Sequence, residues 1–184
     1  MGKITTKVKT RDVAFQFRMG AGFPGDVNRT HPASIEPTLI DSNAPPTAYG
    51  QPVVVDPTTQ GVRALAATDT ALTDVYGFTV RPFPLQASSA SNYGAASLGA
   101  ATPPTTGVID VMRSGYIMGQ MNTSGGSPVK GGRVYVWIAA TTSGHIQGNL
   151  ETSASAGNTI ELPLTTLFNG PADSNGYVEL SRTA

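Results

Sequence analysis

The only imidazoles in this 184-residue chain are His31 and His145, and neither has a partner at a spacing that chemistry needs. A local zinc site calls for HxH, HExxH or HxxxH. His31 instead precedes Pro32 in a loop, and His145 follows Gly144 at the start of a short apolar run, so both read as solvated side chains. Cysteine is absent, which removes disulfides, zinc–thiolate sites and thiol nucleophiles. No GxSxG elbow presents a serine, and no local pair of carboxylates is spaced for acid–base work, although distant acids can converge in a fold. The run from Gly20 to Gly25 spells GxGxxG, but Pro24 and the lack of a following helix argue against a dinucleotide site. Gly131-Gly132-Arg133 lacks the spacing of a phosphate-cradling P-loop. Asp173 to Gly176 has the start of a calcium loop without its third ligand or distal Glu, and reads as a hairpin turn. Tyr135 and Trp137, with Tyr116, could form a stacking platform for a sugar. Packing in a core or against another subunit is the plainer reading of these rings.

The elements that would position any such site are strands. Residues 12–18 alternate Val13, Phe15 and Phe17 with smaller or polar residues, which predicts an edge strand. Short strands are expected at 34–40 (weakened by Pro37), 51–55, 62–66, 76–80, 108–112, 116–121, 133–139, 145–150, 159–162 and 177–181. Gly-rich turns separate them, including Ser114-Gly115 and Gly131-Gly132. One helical turn is expected within 69–75, with Thr68 as its N-cap. In the 133–139 strand, Val134, Val136 and Ile138 share one face and Tyr135 and Trp137 the other. Residues 86–107 form a low-complexity loop, unusually long for a compact domain. No helical stripe and no fixed-period repeat is present. The expected fold is all-β: an antiparallel β-sandwich, jelly-roll-like, or a small barrel, with an extended N-terminal arm. The expected organisation is a basic arm or edge strand over 1–19 and one β-domain over 20–184.

Charge narrows the partner. Apolar residues make up 39% of the chain, enough for a core, while charged residues make up only 13%, about half the usual ~25%. The formal net charge is zero, so nothing overall calls for nucleic acid or an anionic membrane. No stretch approaches the roughly 20 apolar residues of a membrane span. The first residues carry no apolar signal region, which predicts synthesis in a cytosol. The distribution is uneven. Lys3, Lys7, Lys9, Arg11 and Arg18 crowd the start with Asp12 as the only acid, whereas residues 82–109 contain no charge at all. A basic start can pair with an acidic surface, and an uncharged segment can enter an interface without desolvating ions.

Several segments, in order, carry a family resemblance. They are Pro24-Gly25, the run Asp74 to Pro84, the run Asp110 to Tyr116, the run Lys130 to Trp137, and Phe168 to Asp173 followed by Gly176 to Glu179. Together they resemble the structural cement (capsid decoration) proteins of tailed double-stranded DNA bacteriophages. The resemblance implies a β-rich, non-enzymatic virion protein without cofactor or metal. It would be made in the bacterial cytoplasm and would bind the outer surface of an assembled capsid. Its partners would be the major capsid protein and neighbouring copies of itself, a dimer ahead of a trimer, with no nucleic acid and no membrane. Gly77, Arg81, Pro82, Gly115, Gly131 and Gly132 look like determinants of that fold. The expected capsid contacts are Lys3, Lys7, Lys9, Arg11, Arg18, Tyr93 and Leu98, on the basic start and the uncharged loop. A tail-fibre or baseplate β-module and a carbohydrate-binding domain remain the alternatives.

Overall fold

The computed structural model describes residues 22–29, 32–82 and 102–183. Those residues form ten strands in two antiparallel sheets with no closed barrel, as the sandwich reading expected. Strands β1 (Ser34–Leu39), β2 (Pro52–Val55), β3 (Val62–Ala64), β4 (Gly77–Thr79), β5 (Val108–Gln120), β9 (Thr166–Phe168) and β10 (Tyr177–Arg182) make a seven-stranded sheet. Its order is β3-β2-β4-β5-β10-β9, with β1 also paired to β5. Strands β6 (Tyr135–Trp137), β7 (Leu150–Glu151) and β8 (Thr159–Glu161) form the smaller sheet, in the order β7-β6-β8. The proposed strand over 12–18 and most of the low-complexity loop lie outside the described residues.

The two sheets share one core. Phe78, Met112, Ile117, Phe168 and Leu180 of the large sheet cluster with Val134, Val136, Ile138, Ile160 and Leu162. Each such side chain contributes roughly 1.5–3 kcal/mol of burial free energy. Val134, Val136 and Ile138 are fully buried, as their alternation predicts. A second cluster of Ile40, Tyr49, Val53, Val62, Ile109 and Val111 covers the other face of the large sheet.

The spine is β5, and it corrects one expectation. Ser114-Gly115 reads as a turn between two strands, yet β5 runs unbroken for thirteen residues. Ser34 pairs with Ser114 while Ile35 pairs with Met112, so Arg113 is an extra residue and the pair bulges there. The bulge switches the phase of the strand. Met112 and Ile117, five residues apart, therefore face the same core. Gly115 (φ +130°) lies at this bend, where β1 leaves one edge of β5 and β10 takes it over.

Pro37 does not interrupt β1. Ile40 donates its N–H to Gly107, and alternation along an antiparallel pair then points the N–H groups of Thr38 and Glu36 at β5. Position 37 faces outward, where a missing N–H costs no ladder bond. Of the strand expected at 145–150 only Leu150 is in a strand, the two-residue β7, and β9 is a strand that the sequence reading lacks.

The expected helical turn is a 3-10 turn at Asp69–Ala71, and Thr68 makes no side-chain cap. Asp69 ties the turn back to the preceding segment: its Oδ2 accepts from the Ala66 N–H (2.7 Å) and from Arg63 Nη1 (2.8 Å), while Oδ1 accepts from Arg63 Nη2 (2.8 Å). The Arg63 hydrogen bonds hold the Asp69 carboxyl below the usual 3.8 of an aspartate. A depressed carboxylate stabilises the fold above its unfolded value and loses that contribution as pH falls through its folded value. Asp69→Asn is expected to cost about 2 kcal/mol at neutral pH. Urea unfolding across a pH series should show the gap to wild type closing below the usual aspartate value. A gap that stays constant into acid would show that the ion pair is not its source.

Candidate functional site

All seven proposed contacts, Lys3, Lys7, Lys9, Arg11, Arg18, Tyr93 and Leu98, and also His31, lie outside the described residues. The described charges are largely committed internally. Each of the six described arginines pairs with a carboxylate: Arg29 with Glu179, Arg63 with Asp69, Arg81 with Asp26, Arg113 with Glu36, Arg133 with Glu161 and Arg182 with Asp74. Arg29 also lies over the Tyr116 ring at 4.5 Å, and Arg113 over Tyr76 at 3.8 Å. Among the described residues, Lys130 is the one lysine, and it is exposed.

Apolar surface is less well covered. Ile35, Leu39 and Val108 are 42%, 62% and 55% exposed. Leu39 stands directly opposite Val108, and Ile35 and the exposed Pro37 share its side of β1. These residues make an apolar ledge along the start of β5, and Val108 is the last exposed residue of the uncharged 82–109 run. The sequence does not reveal this ledge, because nothing in it says that the small sheet stops short of β1.

His145 is not a simply solvated side chain. Its ring stacks on Trp137 with centroids 4.2 Å apart and planes 20° from parallel. Its Nδ1 is 2.7 Å from Glu151 Oε1, which also accepts from Asn122 Nδ2 at 2.6 Å. Asn122 Oδ1 in turn accepts from the Ile146 N–H at 2.7 Å. This network pins the 144–149 segment to the end of β5 and satisfies a buried carboxylate. It also dissolves the sugar platform suggested by Tyr116, Tyr135 and Trp137. Trp137 is 7% exposed beneath His145, and Tyr116 lies on the other sheet under Arg29.

Asp173 to Gly176 forms a turn, as expected: Asp173 Oδ1 accepts from the N–H groups of Asn175 (2.8 Å) and Tyr177 (2.9 Å). No group of three or more metal-ligating side chains exists among the described residues.

A cleft of about 910 Å³ opens where the 47–51 loop, the end of β5, the 144–149 segment and the start of β10 converge. Phe23, Arg81 and Tyr177 stand at it, with Tyr49, Gln51 and Asn149 in its wall. Gln51 accepts from the Thr47 hydroxyl (3.0 Å) and donates to Gln147 O (3.1 Å) and Asn149 Oδ1 (3.2 Å). Sequence reading misses these residues because they come from five segments, and no local spacing joins them.

The described residues thus form a two-sheet body whose six described arginines are paired internally and whose β1–β5 edge carries an open apolar ledge. The comparisons define it further. The family model of the XM1 gp53 minor capsid protein matches residues 13–182, and the chain belongs to that family. Its fold is similar to that of a chain in the solved capsid of Myoviridae phage XM1, with a TM-score of 0.63 at 13% identity, covering 94% of this chain and 96% of that one. No curated protein matches the chain. The protein is thus a phage capsid-associated structural protein, located in the virion.

Proposed function

We propose that the protein binds the outer surface of the assembled capsid and cements contacts between major capsid protein subunits, without catalysis. The observation that carries this reading is the apolar ledge of Ile35, Pro37, Leu39 and Val108, continuous in sequence with a run of 28 residues without charge. Such a surface can close against a neighbouring protein without stripping water from ions. The basic start complements it. The described arginines are already paired within the fold, so Lys3, Lys7, Lys9, Arg11 and Arg18 of the basic start, together with the exposed Lys130, are the cations that would meet an acidic capsid surface. In this reading residues 1–19 are an arm and 20–184 the body that carries it. Many copies on one shell turn modest contacts into firm attachment, and copies also touch one another, as a dimer ahead of a trimer.

The test is occupancy on purified capsids lacking the protein, read by electron microscopy. The double substitution Leu39→Ser with Val108→Ser should reduce occupancy at least tenfold, equivalent to about 1.4 kcal/mol per site. Its unfolding midpoint should not change, because both side chains are already exposed. Removal of residues 1–18 should weaken attachment and flatten its salt dependence. Full occupancy by both variants would sink the cement reading.

A further inference from the structure

We infer that the cleft between Phe23, Tyr49, Arg81, Asn149 and Tyr177 is a saccharide-binding site, taking a short neutral oligosaccharide. It is separate from the capsid-binding reading and does not depend on it.

The first ground is what the wall leaves unused. Tyr49 is 6% exposed and Asn149 4% exposed, and both line the cleft. The Tyr49 hydroxyl and the Asn149 amide nitrogen have no hydrogen-bond partner among the described residues. They are not sealed either: the sealed, unpartnered side-chain atoms among the described residues are Thr38 Oγ1 and Arg113 Nε. Two nearly buried side chains that line one cleft thus each keep an unsealed polar atom without a partner, at the cost of desolvating most of each group. Beside them Gln51 is 4% exposed, and its Oε1, which accepts once, has a second lone pair.

The second ground is the mouth. Phe23 is 56% exposed, and its ring meets the Tyr177 ring at 6.2 Å with the planes 56° apart. Arg81 lies over Phe23 at 4.7 Å and is 3.6 Å from Asp26 Oδ1, which fixes the ring and balances the local charge. The result is a pocket with an aromatic corner, a wall of amide and phenol groups, and one charged side chain, Arg81, paired with Asp26. A sugar ring presents C–H faces for the aromatic corner and a rim of hydroxyls that both donate and accept. The volume lies within the range of small-molecule sites, roughly 300–1,000 Å³.

An extended peptide fits less well. A peptide binding by strand addition would need an unpaired strand edge, and several backbone groups around this cleft are already engaged. The Gly50 N–H donates to Thr79 O, Gln51 O accepts from the Thr79 N–H, the Met121 N–H donates to Gly176 O, and Asn122 O accepts from the Gly125 N–H. The open groups of Tyr49, Gln51 and Asn149 are on side chains.

The experiment is a printed array of neutral hexose and N-acetylhexosamine oligosaccharides, followed by ligand-observed NMR with those retained. The proposal expects at least one to bind the wild type. Phe23→Ala should weaken that binding about tenfold, and Tyr49→Phe, which removes one oxygen, about fivefold. Both variants should keep the wild-type unfolding midpoint. No binder at millimolar concentration would overturn the proposal, as would binding indifferent to both substitutions. Selective retention of peptides from the major capsid protein, lost in Phe23→Ala, would overturn it in favour of a peptide groove.

Discussion

Arg182→Met is expected to lower the unfolding free energy by about 3 kcal/mol. Arg182 is 7% exposed near the end of β10. Its Nε donates to Arg113 O (3.0 Å), Nη1 to Asp74 Oδ1 and Thr166 Oγ1 (3.1 Å each), and Nη2 to Val75 O (2.9 Å) and Asp74 Oδ2 (3.3 Å). One guanidinium therefore joins β10, β9, the bulge of β5 and the segment that enters β4. Methionine keeps the stem's packing and leaves the two carbonyls short of a donor. The Asp74 side chain is about half exposed and can return to water, so the loss falls on the carbonyls more than on the carboxylate. Guanidinium chloride unfolding measures it. A drop below about 1 kcal/mol would mean that water replaces the guanidinium, and that the Arg182 hub is not what holds the 74–75 segment.

Gly77→Ala is expected to cost about 2–4 kcal/mol, whereas Gly131→Ala should cost about 1 kcal/mol. Both glycines belong to segments that carry the family resemblance, but for different physical reasons. A Cβ on Gly77 would sit 2.5 Å from the Met112 carbonyl oxygen and 2.5 Å from Val111 Cγ1. The oxygen belongs to the backbone of the central strand and cannot rotate away, so β4 must pull off β5. Gly131 has empty space around its Cβ position and needs only its φ of +77°, which alanine adopts with moderate strain. Paired thermal melts of the two variants decide this. Equal losses would show that close β4–β5 approach is not the constraint on Gly77.

These two sites also bear on attachment. The ledge belongs to β1 and the first half of β5, and the Arg113 bulge, braced by Arg182 from behind, sets where that half points. Weakening the brace should loosen the surface that the capsid reading relies on, even though Arg182 itself is buried. The ledge variants change the surface and spare the brace, so the two sets separate a docking defect from a folding defect.

The sequence alone settles the class of the fold. Period-two runs punctuated by glycine, with no helical stripe, leave little but antiparallel sheets, and the Val134, Val136 and Ile138 alternation places the inner face of the small sheet correctly. Pairing lies beyond it. Ser114-Gly115 has the composition of a turn, and only the change of partner from β1 to β10 along β5 makes it a bulge. His145 has the local context of a surface histidine. It is covered because Trp137 and Glu151, from separate strands, meet it in space. The ledge, the Arg182 hub and the cleft likewise arise from segments far apart in the chain. Local propensity is written in neighbouring residues, but which strand lies beside which is decided by burying the most apolar surface at once, and that choice exists only in the tertiary structure.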